Sequence, residues 1–201
     1  MKAMLKFAGA VALFCAAVMS VQAQNAACKA ALANIMTRTS VRSYQNKAVP
    51  KELETIMLKA AMAAPTAMNQ QPWAFVVVRD AEVLKKLAAA MPNAKMAAKA
   101  PLAIMVCADL TKLNKFSSGN TTWIQDTSAA TENLLLAAHA LGLGAVWCGV
   151  YPSDARVKSS RDILKLPANV VPACLVVIGY PAREHKPKDK WKPERIHYNC
   201  W

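Results

Sequence analysis

Residues 64–73 read Ala-Pro-Thr-Ala-Met-Asn-Gln-Gln-Pro-Trp, and they join two segments of different periodicity. Ahead of them, Leu53, Ile56, Met57, Ala60 and Ala61 recur at the spacing of one helical face. Behind them, Trp73-Ala-Phe-Val-Val-Val-Arg79 is β-branched and aromatic and reads as a strand. The junction itself holds two prolines, two glutamines, an asparagine and a threonine. A surface connection needs no such run of side-chain amides, because water satisfies its backbone. The stretch therefore reads as a helix-to-strand loop that holds something.

Working outward, helices and strands alternate. A first helix is expected over about 25–36, then an extended stretch over 40–47. Pro50 opens the helix that runs to Ala63, in the first-turn position where a missing N–H costs nothing. Asp80 caps a helix through Ala90. Pro101 to Ala108 is a second apolar strand. A long helix over 123–141 turns Leu134, Leu135, Ala138 and Leu141 inward, and Gly142 and Gly144 end it. Residues 145–149 and 173–179 read as strands flanking a helix over 153–164, and 180–201 is a polar, proline-bearing arm. With no repeat and no low-complexity linker, the expectation is one α+β domain, a central mixed sheet of four to five strands packed with helices.

The N-terminus stands apart. Met1–Ala23 places Lys2 and Lys6 before the apolar run 7–19 and the small-residue end Val21-Gln-Ala23. That is the pattern of a secretory signal peptide, too short for a membrane span of about 20 residues. The expected organisation is a leader over 1–23, cleaved after Ala23, and a domain over 24–201 exported to the periplasm. Small residues also precede Cys28, but Asn25 stands where a lipoprotein signal has an aliphatic residue, so lipid anchoring ranks below cleavage.

Without Lys2 and Lys6, the 25 basic residues become 23, and against 12 acidic residues the net charge falls from +13 to +11. The lysines are scattered and no nucleic-acid motif accompanies them, which fits an anionic small ligand better than nucleic acid or a membrane surface. Cys107 and Cys174 lie within apolar runs and read as buried hydrophobes. Cys28 and Cys200 lie near the two ends, where an oxidising compartment would allow a bridge.

Three further segments carry chemistry. Thr37-Arg-Thr-Ser-Val-Arg-Ser43 sets two arginines among hydroxyls, which suits phosphate oxygens, although arginines also complement a helix C-terminus. Ala145-Val-Trp-Cys-Gly-Val-Tyr-Pro152 ends a strand in glycine beside aromatics, permitting close backbone approach by a flat ligand. Lys186-Pro-Lys-Asp-Lys-Trp-Lys-Pro-Glu-Arg195 is a solvated tail or a basic arm over an anion. No Gly-x-Gly-x-x-Gly or Walker loop is present, so side chains must hold any phosphate.

In this order and spacing the segments resemble the FMN-dependent nitroreductase family, over about 31–201. The resemblance implies a nitroreductase-like dimeric fold with FMN at the subunit interface. Arg38, Thr39, Ser40 and Arg42 match the motif that grips the phosphate and pyrimidine edge. Pro65, Thr66, Ala67 and Asn69 match a flavin-lining loop supplied by the neighbouring subunit, with Thr66 where serine is commoner. Asn93 matches an amide facing the ring, Cys148 and Gly149 the backbone at the flavin N5 edge, and Lys188 and Lys190 the C-terminal basic contact. An acidic residue stands at the Cys148 position in some members. The activity implied is ping-pong transfer from NAD(P)H or another donor to nitroaromatics, quinones or similar small aromatic acceptors. It requires no side-chain acid or base, and His139 reads as a core or interface residue. The alternative is an envelope protein that binds flavin or another small ligand with little turnover, suggested by the export signal.

Overall fold

A computed structural model describes residues 25–113 and 121–201, so the expected leader over 1–23 lies outside the described residues. Helix α1 spans 25–37 and forms a unit of its own, closed at its end by Thr37 Oγ1 donating to Ala33 O at 2.6 Å. It exposes Leu32, Ile35 and Met36.

The second unit, from Arg38 to Trp201, holds the sheet. Strands β1 (Trp73–Val78), β2 (Leu102–Asp109), β3 (Gly144–Gly149) and β4 (Val170–Gly179) lie in the order β1-β2-β4-β3. Every ladder is antiparallel, pairing Phe75 with Val106, Met105 with Leu175 and Ala145 with Ile178. The expected mixed character survives only as an isolated parallel bridge between Ser40 and Ala145.

Period-two alternation sorts the side chains of β2 and β4 into two core layers. Leu102, Ile104, Val106, Val176 and Ile178 face α2 (Lys51–Met62) and α4 (Thr122–Ala140), meeting Met57, Ala61, Leu134 and Ala138. Ala103, Met105, Leu175 and Val177 face α3 (Ala81–Ala90) and α5 (Asp154–Leu164), meeting Leu84, Leu87 and Met91. Burial on both faces explains why β2 reads as a continuous apolar run.

The local signals mostly act where expected. Pro50 is the N-cap residue of α2, and Asp80 Oδ1 accepts from Val83 N at 2.9 Å to cap α3. Gly142 takes φ 73° just past α4, a conformation that favours glycine, while Leu143 N donates to Ala138 O at 2.9 Å.

Two elements differ from expectation. Residues Pro92–Lys99 form 3-10 turns, whose buried Ala94 and Ala97 have no long period to announce them. Strand β4 begins at Val170 rather than Ala173 and runs through Pro172. It can do so because the β2–β4 register shifts between Val106 and Cys107, opposite that proline, and a bulge is where a sheet accommodates a residue without an N–H. Cys107 and Cys174 are fully buried as expected. The bridge weighed for Cys28 and Cys200 is not formed: both are free thiols, each on a solvent-exposed terminal segment.

Candidate functional site

Strand β3 lies at one edge of the sheet, and the chain segment after α1 runs beside its start. Val41 N donates to Ala145 O at 3.0 Å. The segment then crosses to the end of β4, with Gln45 N on Tyr180 O at 2.8 Å and Ala182 N on Ser43 O at 3.0 Å. Tyr44 Oη lies 2.7 Å from Val41 O and 3.0 Å from Val177 O, so one phenol ties the segment to itself and to the sheet. Burial pushes the Tyr44 ionisation up, Cys148 adds to the rise and Arg42 opposes it.

The approach needs a glycine. A Cβ on Gly144 would lie 2.6 Å from Val41 Cβ. The Ser40–Ala145 bridge is an isolated parallel one, and Arg42 follows it by two residues. Its charge reaches Cys148, lowering the thiol's ionisation, but burial dominates and pushes that thiol up to about 11. Cys148 is therefore neutral and turned into the α3–α5 core layer.

Gly149 ends β3 with open space around its Cα: no heavy atom lies within 4 Å of an added Cβ. Its carbonyl accepts from Asn93 Nδ2 at 3.1 Å and from Arg156 Nη1 at 3.1 Å. Asn93, expected to face a flavin ring, thus has one amide N–H committed to β3.

At the other end of this edge, Arg38 pairs through Nε with Glu132 at 3.1 Å, and its side chain is 18% exposed. Burial and then the Arg38 charge push the His139 pKa down. Thr39, His139, Arg183 and His185 line an adjoining cavity of about 210 Å³.

The amide loop is anchored elsewhere. Ala67 N donates to Asp126 Oδ1 at 2.9 Å, and Asp126, only 4% exposed on α4, keeps Oδ2 without a partner. Thr66 Oγ1 accepts from Gln71 N at 3.1 Å, and Asn69 Oδ1 from Gln71 Nε2 at 2.9 Å. Met68, Asn69 and Gln71 take φ of 49°, 54° and 51°. Left-handed non-glycine residues cost roughly 1–3 kcal/mol each and cluster where a ligand is held. Pro65 and Asn69 are exposed on this strained tip.

The fold brings Ser40 and Asn93 to strand β3, which carries Cys148 and Gly149, with Arg38, Thr39 and Arg42 on the segment bridged to the start of that strand. It holds Pro65, Thr66, Ala67 and Asn69 on a separate projection from α4, about 9 Å along that helix from the Arg38 pairing at Glu132. Lys188 and Lys190 lie on the exposed arm, and no hydrogen bond or ion pair among the described residues joins them to Arg38. Sequence reading missed Asp126, Glu132, Arg156 and Tyr44. Asp126 was discoverable: it sits four and eight residues before Ala130 and Leu134 on the buried stripe, where a carboxylate needs a partner. Arg156 carries no such signal. Among the described residues no histidine, cysteine or carboxylate group could hold a metal, and no helix is long and apolar enough to cross a membrane.

Comparison with known proteins gives a consistent result. The model of the nitroreductase family matches residues 35–116 and 87–180. A protein of Methanothermobacter thermautotrophicus, described as a candidate NADH dehydrogenase/NAD(P)H nitroreductase, is 45% identical over 169 residues, covering 83% of this chain and 85% of its own. A solved structure with the same description, from Bacteroides thetaiotaomicron, has a TM-score of 0.81 at 45% identity, covering 86% of this chain and 98% of its own. An FMN-dependent nitroreductase from Clostridium difficile R20291 has a TM-score of 0.77 at 32% identity, covering 85% of this chain and 99% of its own.

Proposed function

The chain belongs to the nitroreductase family, and from that premise we propose that it is an FMN-dependent NAD(P)H oxidoreductase acting on nitroaromatics, quinones or similar acceptors. The observation that carries this reading is the edge of β3. An arginine- and hydroxyl-bearing segment is hydrogen-bonded beside its start, and an open glycine lies at its end.

The donor set fits the cofactor. Arg38 and Ser40 offer a guanidinium and a hydroxyl for a phosphate. Gly149 leaves room for a flat ring against backbone. Bound FMN supplies the redox chemistry by which reducing equivalents pass from NAD(P)H to the acceptor. Arg42 sets positive charge where negative charge grows during that transfer, in a site where Cys148 adds none. No side chain is required as acid or base.

The proposal includes a homodimer in which Pro65, Thr66, Ala67 and Asn69 serve the neighbouring subunit's flavin, and export of the chain through its leader to the periplasm. An absorbance scan of purified protein should show bound flavin, and stopped-flow mixing with NADH or NADPH should bleach it. Protein that takes up no FMN would overturn the reading. Bound flavin indifferent to both nicotinamides would replace it with a binding role.

The shared site has its own test. A heterodimer of one Asn69→Ala chain and one Arg38→Ala chain should keep one intact FMN site, because both lesions fall in the other. A neutral hydrogen bond contributes about 0.5–1.5 kcal/mol, so the titration must be run at limiting flavin. If the isolated heterodimer has no tight site, Asn69 serves its own subunit.

A further inference from the structure

Arg156 stands in the first turn of α5, where the helix dipole disfavours a cation. Its Nη1 nonetheless reaches Gly149 O at 3.1 Å, the oxygen that Asn93 Nδ2 also contacts at 3.1 Å. Two donors from two different elements thus converge on one carbonyl at the end of an edge strand. Packing does not call for this, since nothing lies within 4 Å of a Gly149 Cβ.

Charge adds a second, independent observation. Arg42 makes itself felt at Cys148, the residue before Gly149, and the thiol stays neutral. Among the described residues no carboxylate forms an ion pair with Arg42 or with Arg156. The end of β3 therefore feels the charge of two arginines, Arg42 at Cys148 and Arg156 at the Gly149 carbonyl.

We propose that Arg156 is a positioning residue. It fixes the Gly149 peptide against the FMN ring, and its charge favours the reduced, more negative form of the cofactor over the oxidised form. This rests on the FMN-dependent reading above. Asn93 provides the uncharged half of the clamp and Arg156 the charged half.

The test compares FMN-loaded wild type, Arg156→Gln, Arg156→Met, Arg156→Lys and Asn93→Ala by dye-equilibrated redox titration, with affinity for oxidised FMN measured in parallel. Arg156→Gln should leave oxidised FMN binding within about threefold. It should weaken binding of the reduced form by about tenfold, a fall of about 30 mV in the two-electron midpoint potential. Arg156→Lys should recover more than half of that fall, and Asn93→Ala should cause less than half of it. Arg156→Met, which keeps the apolar stem, takes the place of Arg156→Gln if that variant does not fold. A wild-type potential in the neutral variants, a lysine variant that follows the glutamine one, or an equal fall in Asn93→Ala overturns the proposal. Wild-type protein that binds no FMN overturns the functional reading together with it.

Discussion

Arg38→Ala is expected to raise the FMN dissociation constant tenfold or more, and by more than Lys190→Ala does. The Arg38 side chain is only 18% exposed and is steadied through Nε by Glu132 at 3.1 Å. A guanidinium held in this way meets two phosphate oxygens at once, whereas Lys190 lies on an exposed arm and acts as a point charge. Hydrogen bonds to charged groups contribute about 1.5–3 kcal/mol, and about 1.4 kcal/mol is a factor of ten in affinity. Removing Arg38 also leaves the Glu132 carboxylate without its ion-pair partner, beside the proposed phosphate position. Adding Glu132→Gln to Arg38→Ala should therefore recover part of the loss. Flavin fluorescence titration measures all four proteins, with circular dichroism to verify folding. Unchanged affinity in Arg38→Ala would remove this residue from the site.

Gly144→Ala and Gly149→Ala should have opposite effects, although both glycines lie on one short strand. A Cβ on Gly144 would meet Val41 Cβ and Cγ1 at 2.6 Å and Cγ2 at 2.8 Å. Val41 is 5% exposed and β-branched, so it has no rotamer to retreat into. Overpacking of this kind costs about 1–3 kcal/mol, and each kcal/mol lowers Tm by roughly 2–4 °C in a domain of this size. FMN affinity should fall as well, because Arg38 to Arg42 can relieve the clash only by leaving β3. At Gly149 the same methyl meets nothing, so stability should stay within about 0.5 kcal/mol. Flavin binding should nevertheless be lost there, because the methyl fills the surface proposed for the ring. Thermal melts of both apo variants, paired with FMN titrations, separate the two effects. A Gly149→Ala protein that binds FMN like wild type would place the ring elsewhere.

These contrasts mark where reading the sequence stops. The helices and strands were legible because their causes are local. The 3.6-residue spacing of Leu134, Leu135 and Ala138, the Asp80 cap and the left-handed Gly142 act within a few residues. The run Trp73–Val78 and the amide loop before it are likewise visible in composition alone, as is the arginine-hydroxyl segment. The interactions that assemble the site span the chain. Ala67 reaches Asp126 over 59 residues, and Asn93 reaches Gly149 over 56. No local propensity encodes the order β1-β2-β4-β3, and that order is what leaves β3 at an edge beside Arg38 and Arg42. The same closure lets β4 run through Pro172, because pairing with β2 leaves Ala173, the next residue of β4, as a bulge. Residue types and their periods determined which elements form and which groups are available to hold an anion. Only the tertiary structure decided that Asp126 grips the loop, Glu132 steadies Arg38 and Arg156 reaches Gly149, since each depends on distant backbone meeting at hydrogen-bonding range.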